Sequence, residues 1–167
     1  MKKIFLMVAI IAIFSTKFSF AQTKSHEALN QVLSTYYDLK NALATDKNDS
    51  VAEKARVFIT KIEAVPHQDL PETQHKVWIE QSTLIKAKAK ELTVAKNIAT
   101  QRKAFEGISN PMIKLVKTIN FNSDIVYIQH CPMAKASWLN EKESIENPYY
   151  GKMMFECGSV TETLKAN

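Results

Sequence analysis

Ala95-Lys-Asn-Ile98-Ala-Thr-Gln-Arg-Lys-Ala-Phe105-Glu-Gly-Ile108-Ser-Asn-Pro-Met112-Ile-Lys-Leu115-Val116-Lys-Thr-Ile119 decides the class of fold. Its large apolar residues, Ile98, Phe105, Ile108, Met112, Leu115, Val116 and Ile119, recur every three or four positions, so they share one helical face. Pro111 lies inside the run. Proline removes the bond to the carbonyl four residues earlier and crowds it, but that residue is Gly107, which relieves the clash. The stretch therefore predicts a long, kinked helix.

The same periodicity appears three more times on the N-terminal side. Leu29, Val32, Leu33, Tyr36, Leu39 and Leu43 mark a helix from His26 to about Ala44. Ser50 followed by Glu53 fits a capping box, opening a helix to about Ile62 that buries Val51, Ala55, Phe58 and Ile62. Val65 to Pro71 is a connector, and Pro71 suits the first turn of a third helix, where its missing amide costs nothing. That helix extends to about Thr93, with Val77, Trp78, Leu84, Ile85 and Leu92 on its apolar side. Four helices with short links imply an antiparallel four-helix bundle, a mainly α fold. Three glycines in 167 residues agree with that.

Beyond Asn120 the texture changes. Ile125-Val-Tyr-Ile-Gln129 is β-branched and aromatic, and reads as a strand. Asn147-Pro-Tyr-Tyr-Gly151 is a turn signal, after which Met153 to Cys157 is expected to pair back onto that strand before Gly158 ends it. The expectation is a small C-terminal β-hairpin or loop element, within residues 120–160, carrying both cysteines.

The N-terminus points to export. Lys2 and Lys3 precede an apolar run from Ile4 to Phe14, and Ser19-Phe20-Ala21 ends in small residues at the positions a signal peptidase reads. Residues 1–21 are thus expected to be a cleaved signal peptide, leaving 22–167 as a single periplasmic domain with no membrane span. Cleavage removes Lys2, Lys3 and Lys17, so 19 basic side chains face 17 acidic ones and the net charge falls from +5 to +2. Lys86, Lys88 and Lys90 alternate with alanine as on a solvated helix face. Neither compartment nor charge favours a nucleic-acid partner.

The chemistry concentrates near the C-terminus, in Tyr127-Ile-Gln-His130-Cys131-Pro132-Met133 and Met153-Met154-Phe-Glu-Cys157. Cys131 and Cys157 are the two cysteines of the chain, and three of its six methionines lie within five residues of them. Thiolate, thioether and imidazole are the donors soft cations such as Cu(I) prefer. Two cysteines in an exported protein equally suit a structural disulfide closing a loop of about 26 residues, worth roughly 3 kcal/mol. Both readings stand at this point. His130 is the weaker candidate, because adjacent residues on a strand point to opposite faces. His26, His67 and His75 lack zinc-type spacing with the cysteines. No paired acids, nucleophile elbow or base beside a cysteine is visible, so no enzyme is expected.

Several segments resemble the exported bacterial family known as domain of unknown function 3347. The resemblance runs through Leu33-Ser-Thr-Tyr36-Tyr37-Asp-Leu39-Lys-Asn-Ala42-Leu43 and Gln101-Arg102-Lys-Ala-Phe105-Glu-Gly-Ile108-Ser109. It continues in Val126-Tyr127-Ile-Gln-His130-Cys131-Pro132-Met133-Ala134, Trp138-Leu139 and Asn147-Pro148-Tyr149-Tyr150-Gly151-Lys-Met153-Met154-Phe-Glu-Cys157-Gly158. The family's glycine-containing insert before the tryptophan is shortened here to Lys135-Ala-Ser137, and a glutamate-like position is Pro111. Such domains occur alone or fused to CusB-like periplasmic adaptor subunits of heavy-metal RND efflux pumps. The resemblance implies a helical domain that handles copper or silver, with an adaptor or efflux component as partner. Combined with the donor set, the expected Cu(I) or Ag(I) ligands are Cys131, Met133, Met153 and Cys157, with His130 as an outlying candidate. The competing expectation is an interaction module without metal, stapled by a Cys131–Cys157 disulfide.

Overall fold

The computed structural model describes residues 24–167, so the expected signal peptide lies outside the described residues. A helix over 24–44 (α1) is followed by α2 (Asn48–Glu63), a short 3-10 turn His67–Asp69, α3 (Glu72–Val94) and α4 (Ile98–Ile119). Three strands follow, β1 (Val126–Cys131), β2 (Ala136–Asn140) and β3 (Ser159–Leu164). The described residues are mainly helical, with four long helices and a small antiparallel sheet. Among the described residues no helix is long and apolar enough to cross a membrane.

The helical stripes predicted from periodicity are the core. Leu29, Tyr36, Leu39 and Leu43 of α1 are buried with Val51, Ala55 and Phe58 of α2, Trp78, Ile85 and Leu92 of α3, and Phe105, Ile108 and Met112 of α4. Leu84, expected on the apolar side of α3, is instead half exposed, while the small or polar Gln81, Ser82 and Ala89 are buried. Close approach of neighbouring helices favours small residues there. Gly107 shows the same constraint: a Cβ at that position would stand 2.8 Å from Cγ of Lys88 on α3. Gly107 therefore lets two helices meet, as well as easing Pro111, through which α4 runs without interruption.

Two helix starts differ from expectation. Ser50 lies inside the first turn of α2 and its hydroxyl donates to the Lys47 carbonyl at 2.8 Å, so the capping box does not form. Pro71 stands just before α3, whose first residue is Glu72. The side chain of Asn97 caps α4 by accepting from the Thr100 amide at 2.9 Å.

The C-terminal sheet corrects the expected hairpin. The central strand β1 pairs antiparallel with β2 on one side and β3 on the other, in the order β2-β1-β3. Met153–Cys157 does not pair with β1. Gly151–Met154 forms a 3-10 turn, Cys157 lies in the following loop, and the third strand begins after Gly158. The true hairpin is β1–β2, closed by Pro132 to Lys135, with Lys135 in a left-handed conformation (φ 53°). Alternation along β1 sends Val126 and Ile128 into the hydrophobic core with Leu139. Its other face carries Gln129 and Cys131 beside Trp138 and Asn140 of β2.

The chain over 141–158 covers that second face, held by polar contacts. Gln129 donates to the carbonyls of Lys142, Glu143 and Ser144 at 3.0–3.1 Å. Asn140 donates to Gln129 at 3.0 Å and to the Ser144 carbonyl at 2.9 Å. Lys40 of α1, fully buried, donates to Asn140 at 2.5 Å and to Glu146 at 2.7 Å, with Glu141 at 3.2 Å. A buried ammonium is tolerated only when so paired.

Candidate functional site

The end of β1 delivers Cys131 into a fully buried position, and the chain then turns back at Pro132-Met133-Ala134-Lys135. This turn brings backbone amides round to the sulfur. The Ala134 amide donates to Cys131 Sγ at 3.5 Å. Cys157 arrives from the covering loop, and its sulfur stands 3.3 Å from that of Cys131. Both are free thiols, one buried and the other half-buried.

The environment divides the two thiols. Burial raises the pKa of Cys131, but the Ala134 amide, the Cys157 thiol, the Asn147 side-chain amide and the Met133 amide together outweigh it and lower it below the ordinary thiol value. The pKa of Cys157 is raised, first by its hydrogen bond to Cys131 and then by burial. Cys131 is thus the thiol of the pair that ionises more readily, and Cys157 the one that holds its proton.

The loop that carries Cys157 is built around Asn147, itself fully buried. Its amide donates to the Cys157 carbonyl at 2.8 Å, and its side-chain oxygen accepts from the amides of Tyr149 and Tyr150 at 2.8 and 3.2 Å. Tyr149 packs edge-on against Trp138, with ring centres 5.9 Å apart, and donates to the Ser137 carbonyl at 3.0 Å. Arg102 of α4 donates to the Pro148 carbonyl at 3.0 Å and pairs with Asp46, whose other oxygen accepts from the Lys152 amide at 3.1 Å. Gly158 passes so close to β1 that a Cβ there would lie 2.9 Å from the His130 carbonyl. The Asn-Pro-Tyr-Tyr-Gly segment is the brace that sets one sulfur beside the other.

The expected ligands separate on this geometry. Cys131 and Cys157 come together. Met133 follows in the turn whose amides contact Cys131, and Met153 lies in the 3-10 turn before Cys157; the two are 62% and 82% exposed. His130 sits on the opposite face of β1 from Cys131, where its Nδ1 meets the Ser137 hydroxyl at 3.0 Å. Among the described residues no three His, Cys, Asp or Glu side chains gather into a metal-binding cluster. Asn147, Arg102 and Asp46 were not singled out from sequence as supports of this site. The turn signal marked the segment, but its anchoring by side chains 46 and 102 is a long-range matter.

The sequence matches the family described as protein of unknown function DUF3347 over residues 32–124. The chain belongs to this family. The matched DUF3347 region runs from within α1 to just beyond α4 and stops before β1, so it includes Tyr36, Lys40 and Arg102 and leaves out both cysteines. No curated protein and no solved structure matches the chain. The DUF3347 region thus supplies the helical platform, including the arginine that braces the thiol loop.

Proposed function

We propose that this protein is a periplasmic carrier of soft metal ions, binding Cu(I) or Ag(I) through Cys131 and Cys157 as an accessory to heavy-metal efflux. The observation that carries the reading is the pair of free sulfurs 3.3 Å apart, one of them favoured as thiolate by backbone amides. Two thiolates about 2.3 Å from one ion at a tetrahedral angle stand about 3.8 Å apart, so the pair need open by only about half an ångström to chelate. Two exposed methionines flank the site in sequence and supply thioether donors, which stay unprotonated at any relevant pH. Such donors let an ion be captured and passed on. The helical platform is the docking surface for an adaptor or efflux component, a role that rests on the family resemblance.

Native mass spectrometry with Cu(I), Ag(I) and Zn(II) in competition tests this. One Cu(I) or Ag(I) is expected at the thiol pair in preference to Zn(II) there. Cys157→Ser should weaken Cu(I) binding by orders of magnitude while the helical circular dichroism is kept. Unchanged copper stoichiometry in that variant overturns the proposal.

A second reading draws on the same 3.3 Å proximity. Oxidation would join the two sulfurs and staple the covering loop to β1, leaving an interaction module without metal. Thiol counting on protein purified without reductant separates the two: absence of free thiol, with or without a copper chelator, favours the staple.

A further inference from the structure

The α2–α3 connector holds a second cluster of donor atoms, at the other end of α1. His67 opens the 3-10 turn after Pro66, and His75 lies in the fourth position of α3. Leu70 is buried and anchors the turn between them. The chain therefore folds back so that Nδ1 of His67 stands 3.2 Å from Nε2 of His75, with the ring centres 5.0 Å apart and the planes tilted by 49°. Both rings are half-buried, reachable from solvent.

We infer that His67 and His75 form a binding site for a borderline divalent transition ion, Cu(II), Ni(II) or Zn(II), distinct from the thiol pair. Two imidazole nitrogens each about 2.05 Å from a shared ion and 3.2 Å from one another subtend roughly 100° at that ion. The ring centres would then be about 5.0 Å apart, whereas an in-line N–H···N hydrogen bond of the same length would hold them about 5.5 Å apart. The observed 5.0 Å equals the spacing that two rings closing on one ion require. Imidazole donors suit this class of ion, just as thiolates suit Cu(I).

Three features of the surroundings bear on the site. Burial first, then the neighbouring His75 and Lys86, lowers the pKa of His67. The Gln68 side-chain nitrogen donates toward His67 Nε2 at 3.3 Å, which places the ring proton on Nδ1 facing His75, where an incoming ion displaces it. Asp69, which ends the 3-10 turn, and Glu72, which opens α3, are both exposed and add negative charge between the two histidines in sequence. Two protein ligands leave the remaining coordination positions to water, so the site is open and exchangeable.

The two sites lie far apart. The Ser25 hydroxyl bonds the Pro66 carbonyl beside His67, and Asp46 bonds the thiol loop. These anchors bracket α1, whose 24–44 span is roughly 30 Å long at 1.5 Å per residue.

The test uses the full mature chain carrying Cys131→Ser and Cys157→Ser, titrated with Ni(II) by calorimetry and with Cu(II) by electron paramagnetic resonance. One ion per chain is expected, with hyperfine splitting from two nitrogens. His67→Ala and His75→Ala should each weaken binding tenfold or more. No binding, or binding indifferent to both substitutions, overturns the inference. If the serine variant fails to fold, Ni(II) added to the wild-type chain with a non-chelating reductant gives the answer by nuclear magnetic resonance. Selective broadening of the His67 and His75 ring signals supports the site, and broadening only elsewhere refutes it. Because the first test dispenses with both cysteines, it can fail or succeed independently of the Cu(I) proposal.

Discussion

Arg102 and Asp46 are joined by a 2.5 Å ion pair that clamps the Cys157 loop between α4 and the end of α1. The same guanidinium bonds the Leu43 and Pro148 carbonyls, each at 3.0 Å, so one side chain ties three segments together. Arg102→Ala leaves those acceptors without their donor and should destabilise the fold by about 1–3 kcal/mol. Chemical denaturation measures the loss. Faster alkylation of Cys157 in the variant would show that the loop is what loosens.

Acid sensitivity follows from the carboxylates. Burial raises the pKa of Glu146, but bonds from Lys142 and Lys40 outweigh it and hold it below the ordinary value. Asp46 is likewise lowered, with the Lys152 amide and Arg102 overcoming its burial. A carboxyl with a depressed folded pKa contributes stability above its unfolded value, about 4, and loses it as pH falls through the folded value. Stability should therefore decline below about pH 4. Glu146→Gln should flatten part of that decline in denaturation curves recorded across pH.

Lys40 is the most exacting charge in the core. Lys40→Ala removes the donor to the buried Asn140 side-chain oxygen and one of the two lysines that hold Glu146, and a cost of about 3–5 kcal/mol is expected. Thermal unfolding reads it directly. An effect within 0.5 kcal/mol, the range of an ordinary surface substitution, would contradict the network described above.

The two thiols should titrate apart. Absorbance at 240 nm against pH is expected to show one thiolate forming below the ordinary thiol range and the second above it. Cys157→Ala removes the donor to Cys131 and should shift the first step upward. A single unsplit transition at the ordinary value would refute the asymmetry.

Asn147→Ala deprives the Tyr149 and Tyr150 amides and the Cys157 carbonyl of their partner in a buried place. A loss of about 2–3 kcal/mol is expected, together with weaker Ag(I) retention, measured by competition against a chromogenic chelator.

How much of this could be read from the chain differs by element. The four helices were legible because each carries its own periodic stripe, and the first strand because β-branched and aromatic residues cluster at 125–128. The closeness of the two cysteines was also anticipated, but through the wrong pairing. Ala136–Asn140 carries no strand signal because Ala-Ser-Trp-Leu-Asn alternates poorly: Trp138, Leu139 and Asn140 are all buried, on both faces of the strand. The loop carrying Met153 and Cys157 reads as a strand in sequence because a short apolar run has no period long enough to discriminate.

Sequence by itself determined the helical class, the place where helix gives way to sheet, and the donor types gathered near the C-terminus. These are local properties, set by residue type and spacing over a few turns. Tertiary structure alone decided which donors meet. It put His130 on the far face of β1, Cys157 beside Cys131, and His67 against His75. It also selected Arg102, Asp46, Asn147 and Lys40 as the side chains that hold the arrangement. Those outcomes depend on contacts between residues tens of positions apart, whose formation depends on how the whole chain packs.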